Sequence, residues 1–262
     1  MKEKIRLYLV AFRNVIMTLN IIKLRFLFWP RKMVCITQVE MFNLGSLAGL
    51  RKLKQKNVYD VVGSDSIQTI RFLIPNKWMH EEASYTKDMI TLALSSKLVQ
   101  PKVVFEIGTL DGYTALLFAL NTPDNAKIYS LDLPPGTLSP VLSLTEIDKK
   151  HIISRNQISK LAFEGKPEEN KITLLFGDSN NFDYSAYCGK VDLFFIDGAH
   201  SYQYVKSDTE NALKCLRKGG LLIWHDYGRV GVNGVSKYLH KLSKEMPVYC
   251  VPGSSIAFCV VQ

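Results

Sequence analysis

Cysteine is scarce in this sequence, and the few that occur form no pattern. Five of the 262 residues are cysteines, and no two make a C-x-x-C pair: they stand at Cys35, Cys188, Cys215, Cys250 and Cys259. A zinc ribbon or a disulfide scaffold needs paired cysteines. Their isolation argues against both and suits a reducing compartment, so we expect a cytoplasmic protein.

Long apolar runs are missing too. Residues 5–29 are rich in Ile, Leu, Val and Phe, but Arg, Lys and Asn side chains interrupt them. A membrane-spanning helix needs about 20 consecutive apolar residues, and a signal peptide needs an uninterrupted apolar stretch with a cleavage site. We expect neither here. The overall composition, 47% hydrophobic and 22% charged, is that of a globular protein and excludes a largely disordered chain.

Acidic residues are scarce in the first 56 positions. There, twelve Lys and Arg stand against two Glu, whereas the remainder of the chain has 21 basic and 22 acidic residues. The net charge of +9 therefore belongs to an N-terminal arm and not to the face of a folded domain. For this reason we expect no nucleic-acid partner.

The arm is predicted to be a basic amphipathic helix. At about 100° per residue, five of its polar residues fall on one side of the helix: Lys2, Arg6, Arg13, Asn20 and Lys23. The pattern is typical of a helix lying on an anionic membrane, here the inner face. It is equally typical of a helix packed on the catalytic domain or on a second copy of the chain. A peripheral membrane location and a homo-oligomer thus both stay open.

From about residue 85 short apolar runs alternate with helical stretches. Strands are predicted at 102–107, 127–132, 171–176, 191–197 and 221–224, with a closing hairpin formed by 247–251 and 256–261. Gly219 and Gly220 are expected to end the helix that precedes the fifth strand. Continuous apolar strands separated by helices predict a mainly parallel sheet covered on both faces. We therefore expect a Rossmann-like α/β fold, a doubly wound sheet of seven strands with an antiparallel C-terminal hairpin strand.

Three parts follow from this organisation. Residues 1–56 are the helical arm, 57–84 a cap on the substrate side, and 85–262 the catalytic domain. Within that domain, residues 133–170 are too long for a simple connection. We predict that they form an insert containing a helix, which acts as a lid.

The predicted strand ends carry glycines, acids and a histidine. Gly108 and Gly112 lack a Cβ, so the backbone can turn tightly and approach a ligand closely. Asp132, Asp178 and Asp197 each end a strand, where ligands bind in such sheets. Taken singly, each glycine is also compatible with a simple turn and each acid with a helix cap. Five such ends on successive strands favour a binding site.

These residues carry a resemblance to a known family. Glu106–Thr114 with Asp132, Asp178, Asp197 and Gly219–Asp226 resembles the signature of class I S-adenosylmethionine-dependent methyltransferases. The first motif, with Leu110 where many members have a glycine, is similar to the caffeoyl-CoA and catechol O-methyltransferase branch. The stretch 195–226 is similar to methyltransferases of natural-product and polysaccharide gene clusters. The resemblance covers about residues 85–262.

The resemblance implies S-adenosylmethionine as the cofactor. The residues that it implies for binding, from the methionine end through the ribose to the adenine, are Glu106, Gly108, Thr109, Gly112, Asp132, Asp178, Ser179 and Asp197. It also places Asp197 and Asp226 where the metal-dependent branch binds a divalent cation. The usual third ligand, an Asn, is Tyr227 here, which leaves His225 as the candidate beside them. A Mg²⁺ or Mn²⁺ site of Asp197, His225 and Asp226 is one alternative.

The other alternative is a protein base. A hydroxyl is a poor nucleophile at neutral pH, so an O-methyltransferase needs a base or a metal. His225, His200 and Asp197 are the candidates nearest the predicted site. We expect in-line methyl transfer to a hydroxyl of a sugar, glycan or natural-product acceptor. Two rival functions are a nicotinamide-dependent oxidoreductase, using Tyr202-x-x-x-Lys206, and a catalytically silent membrane-associated scaffold.

Overall fold

The computed structural model describes residues 51–63, 68–73, 83–137 and 141–262. The predicted arm up to residue 50 and residues 64–67 and 74–82 of the predicted cap lie outside the described residues. The predictions made for them, including the membrane contact, stay predictions. Within the part that the structure describes, no helix combines the length and apolar character that crossing a membrane requires.

Helices and strands alternate along the described chain. Helices α1 to α6 span Val58–Val62, Ala83–Val99, Tyr113–Asn121, Glu146–Asn156, Tyr202–Cys215 and Asn233–Leu242. Strands β1 to β8 span Lys54–Gln55, Val103–Ile107, Lys127–Asp132, Ile172–Phe176, Val191–Ile196, Leu216–Trp224, Tyr249–Cys250 and Ala257–Val260. Two short 3₁₀ helices, Pro167–Lys171 and Ser185–Tyr187, complete the described elements.

The strands form one mixed sheet, in the order β1-β7-β8-β6-β5-β2-β3-β4. Every pairing is parallel except those of β8, which runs antiparallel to β6 and to β7. The doubly wound α/β fold with an antiparallel hairpin strand is therefore confirmed. Among the described residues the sheet has eight strands and not the seven predicted, because β1 joins its edge.

Strand β1 explains where the predicted arm enters the fold. Lys54 pairs with Tyr249, and the Tyr227 hydroxyl accepts hydrogen bonds from the backbone N–H groups of Lys52 (2.6 Å) and Leu53 (2.9 Å). The Arg51 guanidinium donates to the carbonyl of Tyr227 at 3.1 Å. Residues 54 and 55 of the predicted arm thus belong to the sheet, and the residues just before them are bonded to Tyr227. A two-residue strand within a basic stretch has no apolar run that would reveal it.

Both faces of the sheet are buried, as parallel strands require. Successive side chains of β5 point to opposite faces. Phe194 stacks on Phe105 on one face, with ring centroids 4.9 Å apart, and Phe195 meets Phe118 on the other at 5.7 Å. All six residues of β5 are buried, so the sheet is a rigid support for the loops at its carboxyl edge.

The prediction that Gly219 and Gly220 end a helix is wrong. Helix α5 ends at Cys215, and β6 begins at Leu216, so both glycines lie within the strand. Gly219 has a positive φ of +77°, and the register between β5 and β6 shifts at the neighbouring positions. The glycines therefore allow an irregular start of β6, a role that the local pattern does not distinguish from a helix stop.

The helix predicted within the insert is present as α4. Its N-terminus is a reciprocal cap, in which Thr145 Oγ1 accepts from the Asp148 N–H at 3.2 Å and Asp148 Oδ2 accepts from the Thr145 N–H at 2.7 Å. Such a cap fixes where a helix begins. Its movement as a lid stays a prediction.

Candidate functional site

A cavity of about 460 Å³ lies beyond the carboxyl ends of the central strands. Strands β3 and β4 lie on one side of β2, and β5 and β6 lie on the other. The order in which successive strands are added to the sheet therefore reverses between β2 and β5. Ligands bind at such a switch point in open α/β sheets. The cavity is walled by the loops after β2 to β6 together with residues of α2 and α4. Its volume is that of a site for a small molecule.

The glycine loop after β2, residues 108–112, packs directly against neighbouring segments because its two glycines have no Cβ. Gly108 has a φ of +99°, and a Cβ there would lie 2.2 Å from the carbonyl oxygen of Asp197. Gly112 has a φ of +75°, and its Cβ would lie 2.7 Å from Cε1 of Phe163. Both glycines are thus required by close approach. In both cases the close neighbour is protein, and the approach of a ligand to this loop stays a prediction.

Leu110 occupies a position that favours glycine. Its φ of +45° lies in the left-handed region, which costs an ordinary residue about 1–2 kcal/mol. Its side chain is 41% exposed and lines the cavity. A glycine at this position would avoid the strain, whereas the leucine adds an apolar group to the cavity wall.

Asp132 stands at the end of β3 on the cavity wall. Its carboxylate accepts hydrogen bonds from the backbone N–H groups of Leu110 (3.0 Å) and Leu133 (2.8 Å). Nε of Arg155, on α4, lies 3.7 Å from Oδ2. Burial raises the pKa of Asp132, although these hydrogen bonds and Arg155 oppose the rise. The carboxylate thus connects the glycine loop with the insert, at the position expected to bind a ribose.

Asp178 makes a similar connection at the end of β4. Its Oδ2 accepts from the Tyr204 hydroxyl at 2.7 Å and from the Val141 N–H at 2.8 Å, and its Oδ1 accepts from the Asn180 N–H at 2.9 Å. A carboxylate has about four acceptor positions, and the contacts printed for the described residues use three of them. Ser179 lies beside it on the cavity wall.

Glu106 does not line the cavity. Its side chain is fully buried beneath the glycine loop, where Ser130 Oγ donates to Oε2 at 2.5 Å. The Ser130 hydroxyl also lies 2.7 Å from Thr109 Oγ1, and Thr109 does reach the cavity wall. Burial raises the pKa of Glu106 well above its usual range. The structure places Glu106 behind the loop, and its contact with the methionine end of a cofactor stays a prediction.

At the ends of β5 and β6 the cavity wall holds an imidazole among carboxylates. Nδ1 of His225 lies 3.0 Å from Asp197 Oδ1 and 3.3 Å from Asp226 Oδ1, and Nε2 lies 3.2 Å from Asp88 Oδ2. Burial alone would lower the pKa of His225, but these carboxylates raise it well above its usual range. The structure thus brings His225, Asp197 and Asp226 together, as the sequence suggested.

Asp226 is held in an unusual backbone conformation. Its φ is +59°, and its side chain is buried. Arg229 Nη1 donates to Oδ1 at 2.5 Å, and Nε2 of His200 lies 2.6 Å from Oδ2. Strained conformations of this kind persist where surrounding contacts require them, often at functional sites.

His200 joins the same cluster through the insert. Its Nδ1 lies 2.5 Å from Asp148 Oδ1, the oxygen that also accepts from the His200 backbone N–H. Burial would lower the pKa of His200, but Asp148 and Asp226 raise it to about 10. Both ring nitrogens therefore face carboxylates, and α4 is attached to the site through Asp148.

The cluster fits a divalent cation. Asp197, His225 and Asp226 each offer one ligand atom, and these atoms all lie within 4.8 Å of one another. Two carboxylates and an imidazole suit Mn²⁺ or a similar transition metal better than Mg²⁺, which prefers oxygen ligands. A ligating histidine usually donates its other N–H to a carboxylate, and Asp88 has that position. The donor set and its surroundings thus agree with a metal site.

Asp88 is the residue that sequence reasoning missed. It lies on α2, is fully buried, and receives the hydroxyl of Ser254 together with the N–H (3.0 Å) and hydroxyl (2.6 Å) of Ser255. A single Asp within a helix carries no motif. The signal available was a lone acid next to Met89 and Ile90, which is not enough to identify its partner.

Part of the chain matches a known protein family. Residues 105–227 match a family model described as a methyltransferase domain. No curated protein matches the sequence significantly.

Three solved structures are similar in part. A protein assigned as an O-methyltransferase from Klebsiella pneumoniae is 19% identical, with 69% of this chain and 82% of that chain covered and a TM-score of 0.47. A Podospora anserina methyltransferase with bound S-adenosylhomocysteine is 20% identical, with 66% and 77% covered and a TM-score of 0.45. A protein assigned as a caffeoyl-CoA O-methyltransferase from Staphylococcus aureus is 17% identical, with 67% and 83% covered and a TM-score of 0.47. Nothing about the acceptor follows from similarities of this size.

Proposed function

We propose that this chain, whose residues 105–227 match a methyltransferase domain, is an S-adenosylmethionine-dependent methyltransferase that methylates a hydroxyl oxygen of a sugar, glycan or natural-product acceptor. The observation that supports this most is the shared cavity. The glycine loop and Asp132 line one part of it, and the cluster around His225 lines another. The methyl donor and a group that handles the acceptor's proton would therefore share one cavity.

The cofactor would lie along the strand ends. Asp132 offers carboxylate oxygens to the ribose hydroxyls, and Asp178, which lines the same cavity, would accept from the adenine amino group. The loop from Gly108 to Gly112 would cover the methionine end, supported from behind by Glu106 through Ser130. The glycine loop, Asp132 and Asp178 follow one another along the sheet edge, because β2, β3 and β4 are neighbours in that order.

Methyl transfer needs alignment and removal of a proton. The acceptor oxygen must approach the methyl carbon to about 3 Å in line with the departing sulfur. His225 Nδ1 and Asp197 Oδ1, 3.0 Å apart, are the atoms suited to hold the hydroxyl proton. His200, whose two ring nitrogens likewise face carboxylates, those of Asp148 and Asp226, is the alternative base.

A divalent cation has a place in the same proposal. Asp197, His225 and Asp226 would hold it, and when bound it would lower the pKa of the acceptor hydroxyl and orient it. Arg229 and His200 would continue to fix the Asp226 carboxylate through the contacts described above. These residues thus keep the ligand oxygens in place whichever metal is used.

The acceptor side of the cavity is partly apolar. Phe72, Met89 and Ile90 line it from the segments before β2, and Leu144 and Ile152 line it from the insert. Ile90 is 41% exposed and adds apolar surface to this wall. These walls favour an acceptor with an apolar face, such as a natural product or a lipid-linked glycan.

The test is methyl transfer to defined acceptors. Purified protein would be incubated with methyl-labelled S-adenosylmethionine and either a panel of catechols and sugars or an extract of its own host, and labelled products would be identified. We expect His225→Ala and Asp197→Ala to lower the rate at least 100-fold while S-adenosylhomocysteine still binds. Asp124→Ala, at a fully exposed carboxylate, is the matched control. Transfer to nitrogen, or unchanged turnover in His225→Ala, would refute the proposal.

The oxidoreductase alternative has no support in the structure. Tyr202 packs against the ring of Tyr238, with centroids 5.6 Å apart. Neither Tyr202 nor Lys206 lies among the described residues that line the cavity. A tyrosine and lysine pair that catalyses hydride transfer would have to reach the ligand.

We also propose that the basic arm binds an anionic membrane surface. The arm carries the chain's net positive charge. It meets the fold at Arg51, whose guanidinium donates to the carbonyl of Tyr227, the residue that follows Asp226. An acceptor in the membrane would then lie near the cavity. Reversing Lys2, Arg6, Arg13 and Lys23 to Glu should abolish co-sedimentation with phosphatidylglycerol vesicles.

The matched control reverses four exposed lysines of the folded part, namely Lys127, Lys206, Lys218 and Lys237. Equal loss in both variants would indicate general charge attraction and not the arm. Retained binding in the arm variant, with a changed oligomeric state in sedimentation analysis, would show that the arm packs on a second copy instead.

A further inference from the structure

We infer that Arg51 is a positioning residue for Asp226, because its guanidinium holds the turn after β6, residues 225–229, in the conformation that presents the Asp226 carboxylate to the cavity. Arg51 lies outside the residues that match the methyltransferase domain, 105–227, and it is not among the residues that line the cavity. It therefore acts on the site through the backbone of the turn. The use of the Asp226 carboxylate rests on the proposed function, whereas the support of the turn rests on the contacts of the described residues.

The turn needs support because its backbone is strained. Asp226 has a φ of +59°, and Gly228 follows with a φ of +79°. The left-handed region is uncommon for residues other than glycine, and such conformations persist where the surrounding structure requires them. The Asp226 carboxylate is buried against His200 and Arg229. A rotation of the backbone at Asp226 would therefore move both carboxylate oxygens away from these partners and from the cavity.

Arg51 contacts the turn in three ways. Its Nη2 donates to the Tyr227 carbonyl at 3.1 Å and to the Ser254 carbonyl at 2.7 Å, which connects the turn to the loop between β7 and β8. Its guanidinium carbon lies 5.6 Å from the centroid of the Tyr227 ring, within the range of a cation–π contact. Its side chain also packs on Gly228, where an added Cβ would lie 2.5 Å from Nε. One guanidinium thus contacts both residues that follow Asp226.

Tyr227 holds the segment of Arg51 in return. Its side chain is fully buried. Its hydroxyl accepts from the N–H groups of Lys52 and Leu53 and lies 3.0 Å from His240 Nε2. In the metal-dependent methyltransferases that this sequence resembles, an Asn ligand has this position. Here the residue does not line the cavity, and it attaches the segment before β1 to the turn.

The peptide between Tyr227 and Gly228 is held at both of its polar groups. Arg51 donates to its carbonyl oxygen, and its N–H donates to Ser236 Oγ at 2.9 Å. The preceding N–H, that of Tyr227, donates to the Ser255 carbonyl at 2.9 Å. Removal of the guanidinium would take away this donor to the carbonyl, so the peptide could rotate. The backbone of Asp226, one residue earlier, would then be free to relax from its strained conformation.

Hydrogen exchange of the full chain tests the support of the turn. Arg51→Met removes the guanidinium and keeps an unbranched side chain. Lys52→Met is the matched control, because it removes one positive charge at the next position, changes an exposed side chain and keeps the N–H that donates to Tyr227. In Arg51→Met, exchange of the Tyr227 and Gly228 amides should become about tenfold faster, the effect of losing one or two hydrogen bonds. In Lys52→Met it should match the wild type.

Calorimetry with Mn²⁺ alone and with S-adenosylhomocysteine alone tests the effect on Asp226. The affinity for Mn²⁺ should fall about 10- to 100-fold in Arg51→Met, the usual effect of losing an outer support of a metal ligand. The affinity for S-adenosylhomocysteine should change by less than about twofold, because neither Arg51 nor Tyr227 lines the cavity. A generally loosened domain would weaken the binding of both, so the difference between the two ligands identifies a positioning role.

Two results would overturn the inference. If Arg51→Met speeds exchange at Lys52 and Leu53 but not at Tyr227 and Gly228, the arginine only holds β1. If the turn exchanges faster and Mn²⁺ binds as tightly as before, the turn can loosen without moving the carboxylate.

A second variant covers the case in which Arg51→Met does not fold. Arg51→Lys keeps the charge but lacks the planar fork of donors, so it should show smaller changes in the same direction, and an absence of change would equally overturn the inference. A wild type that binds no Mn²⁺ or methylates no acceptor, with the expected exchange in the variants, would reject the metal site or the proposed function and leave the support of the turn in place.

Discussion

Replacing Gly108 by alanine tests the close contact between the two central loops. The added Cβ would lie 2.2 Å from the carbonyl oxygen and 2.7 Å from the carbonyl carbon of Asp197. Both are backbone atoms, so no side chain can rotate away. The two segments are also joined by a hydrogen bond from the Asp197 N–H to the Ile107 carbonyl at 2.9 Å. Alanine must therefore push apart the ends of β2 and β5.

The expected loss of stability combines two effects. The positive φ of Gly108 costs an alanine about 1–2 kcal/mol, and forcing an extra methyl into a packed site costs about 1–3 kcal/mol. The free energy of unfolding should thus fall by about 2–5 kcal/mol. For a chain of this size that corresponds to a fall in Tm of roughly 4–20 °C.

Gly189→Ala is the matched control. Gly189 also has a positive φ, +68°, but a Cβ there would meet nothing within 4 Å. It should lose only the contribution from backbone strain, about 1–2 kcal/mol. Thermal unfolding would be measured for both variants with and without S-adenosylhomocysteine, and we expect the ligand to stabilise Gly189→Ala as it does the wild type but Gly108→Ala much less.

The reasoning would be refuted by equal losses of stability in the two variants. It would also fail if Gly108→Ala bound S-adenosylhomocysteine with wild-type affinity. Either result would mean that the loops can separate without consequence for the site, and that the close approach of Gly108 to Asp197 does not shape it.

Three further predictions concern other parts of the structure. Asp132→Ala should weaken S-adenosylhomocysteine binding at least tenfold in calorimetry, because the carboxylate orders the glycine loop and faces the cavity. Asp208 is fully buried, and desolvation raises its pKa to about 7, from about 3.9 in the unfolded chain. Between these two pH values the folded protein keeps the carboxyl proton and the unfolded chain loses it. The folded state therefore loses stability as the pH rises from about 4 to 7. Asp208→Asn should therefore gain in Tm relative to the wild type between pH 5 and pH 8. Tyr227→Phe should lower the free energy of unfolding by about 1–3 kcal/mol. It should also speed amide hydrogen exchange at Lys52 and Leu53, because their N–H groups donate to the Tyr227 hydroxyl.

Each of these predictions has a result that contradicts it. Unaltered binding in Asp132→Ala would remove this residue from the cofactor site. A Tm difference for Asp208→Asn that does not vary with pH would show that the carboxyl is ionised in the folded protein. Protected amides at residues 52 and 53 in Tyr227→Phe would mean that β1 is held by its sheet pairing alone.

Local patterns were sufficient for most of the sheet. The apolar run at Lys127–Asp132 has the bounds predicted for it, and the hairpin places β8 antiparallel as expected. These features depend on side chains a few positions apart, where apolar spacing and turn residues act directly. The glycines of β6 and the short strand β1 were not predicted correctly, because a glycine pair and a two-residue strand have the same local appearance in several structures.

The amino-acid sequence by itself determined which side chains end the strands, and so the set of acids and the histidine available at one edge. Only the tertiary structure decided which of them meet. Asp88 reaches His225 across 137 positions, and Asp148 reaches His200 across 52, through helices that cross the sheet. Periodicity describes the face on which a residue lies, whereas such partners are chosen by the packing of distant segments, which no local pattern contains.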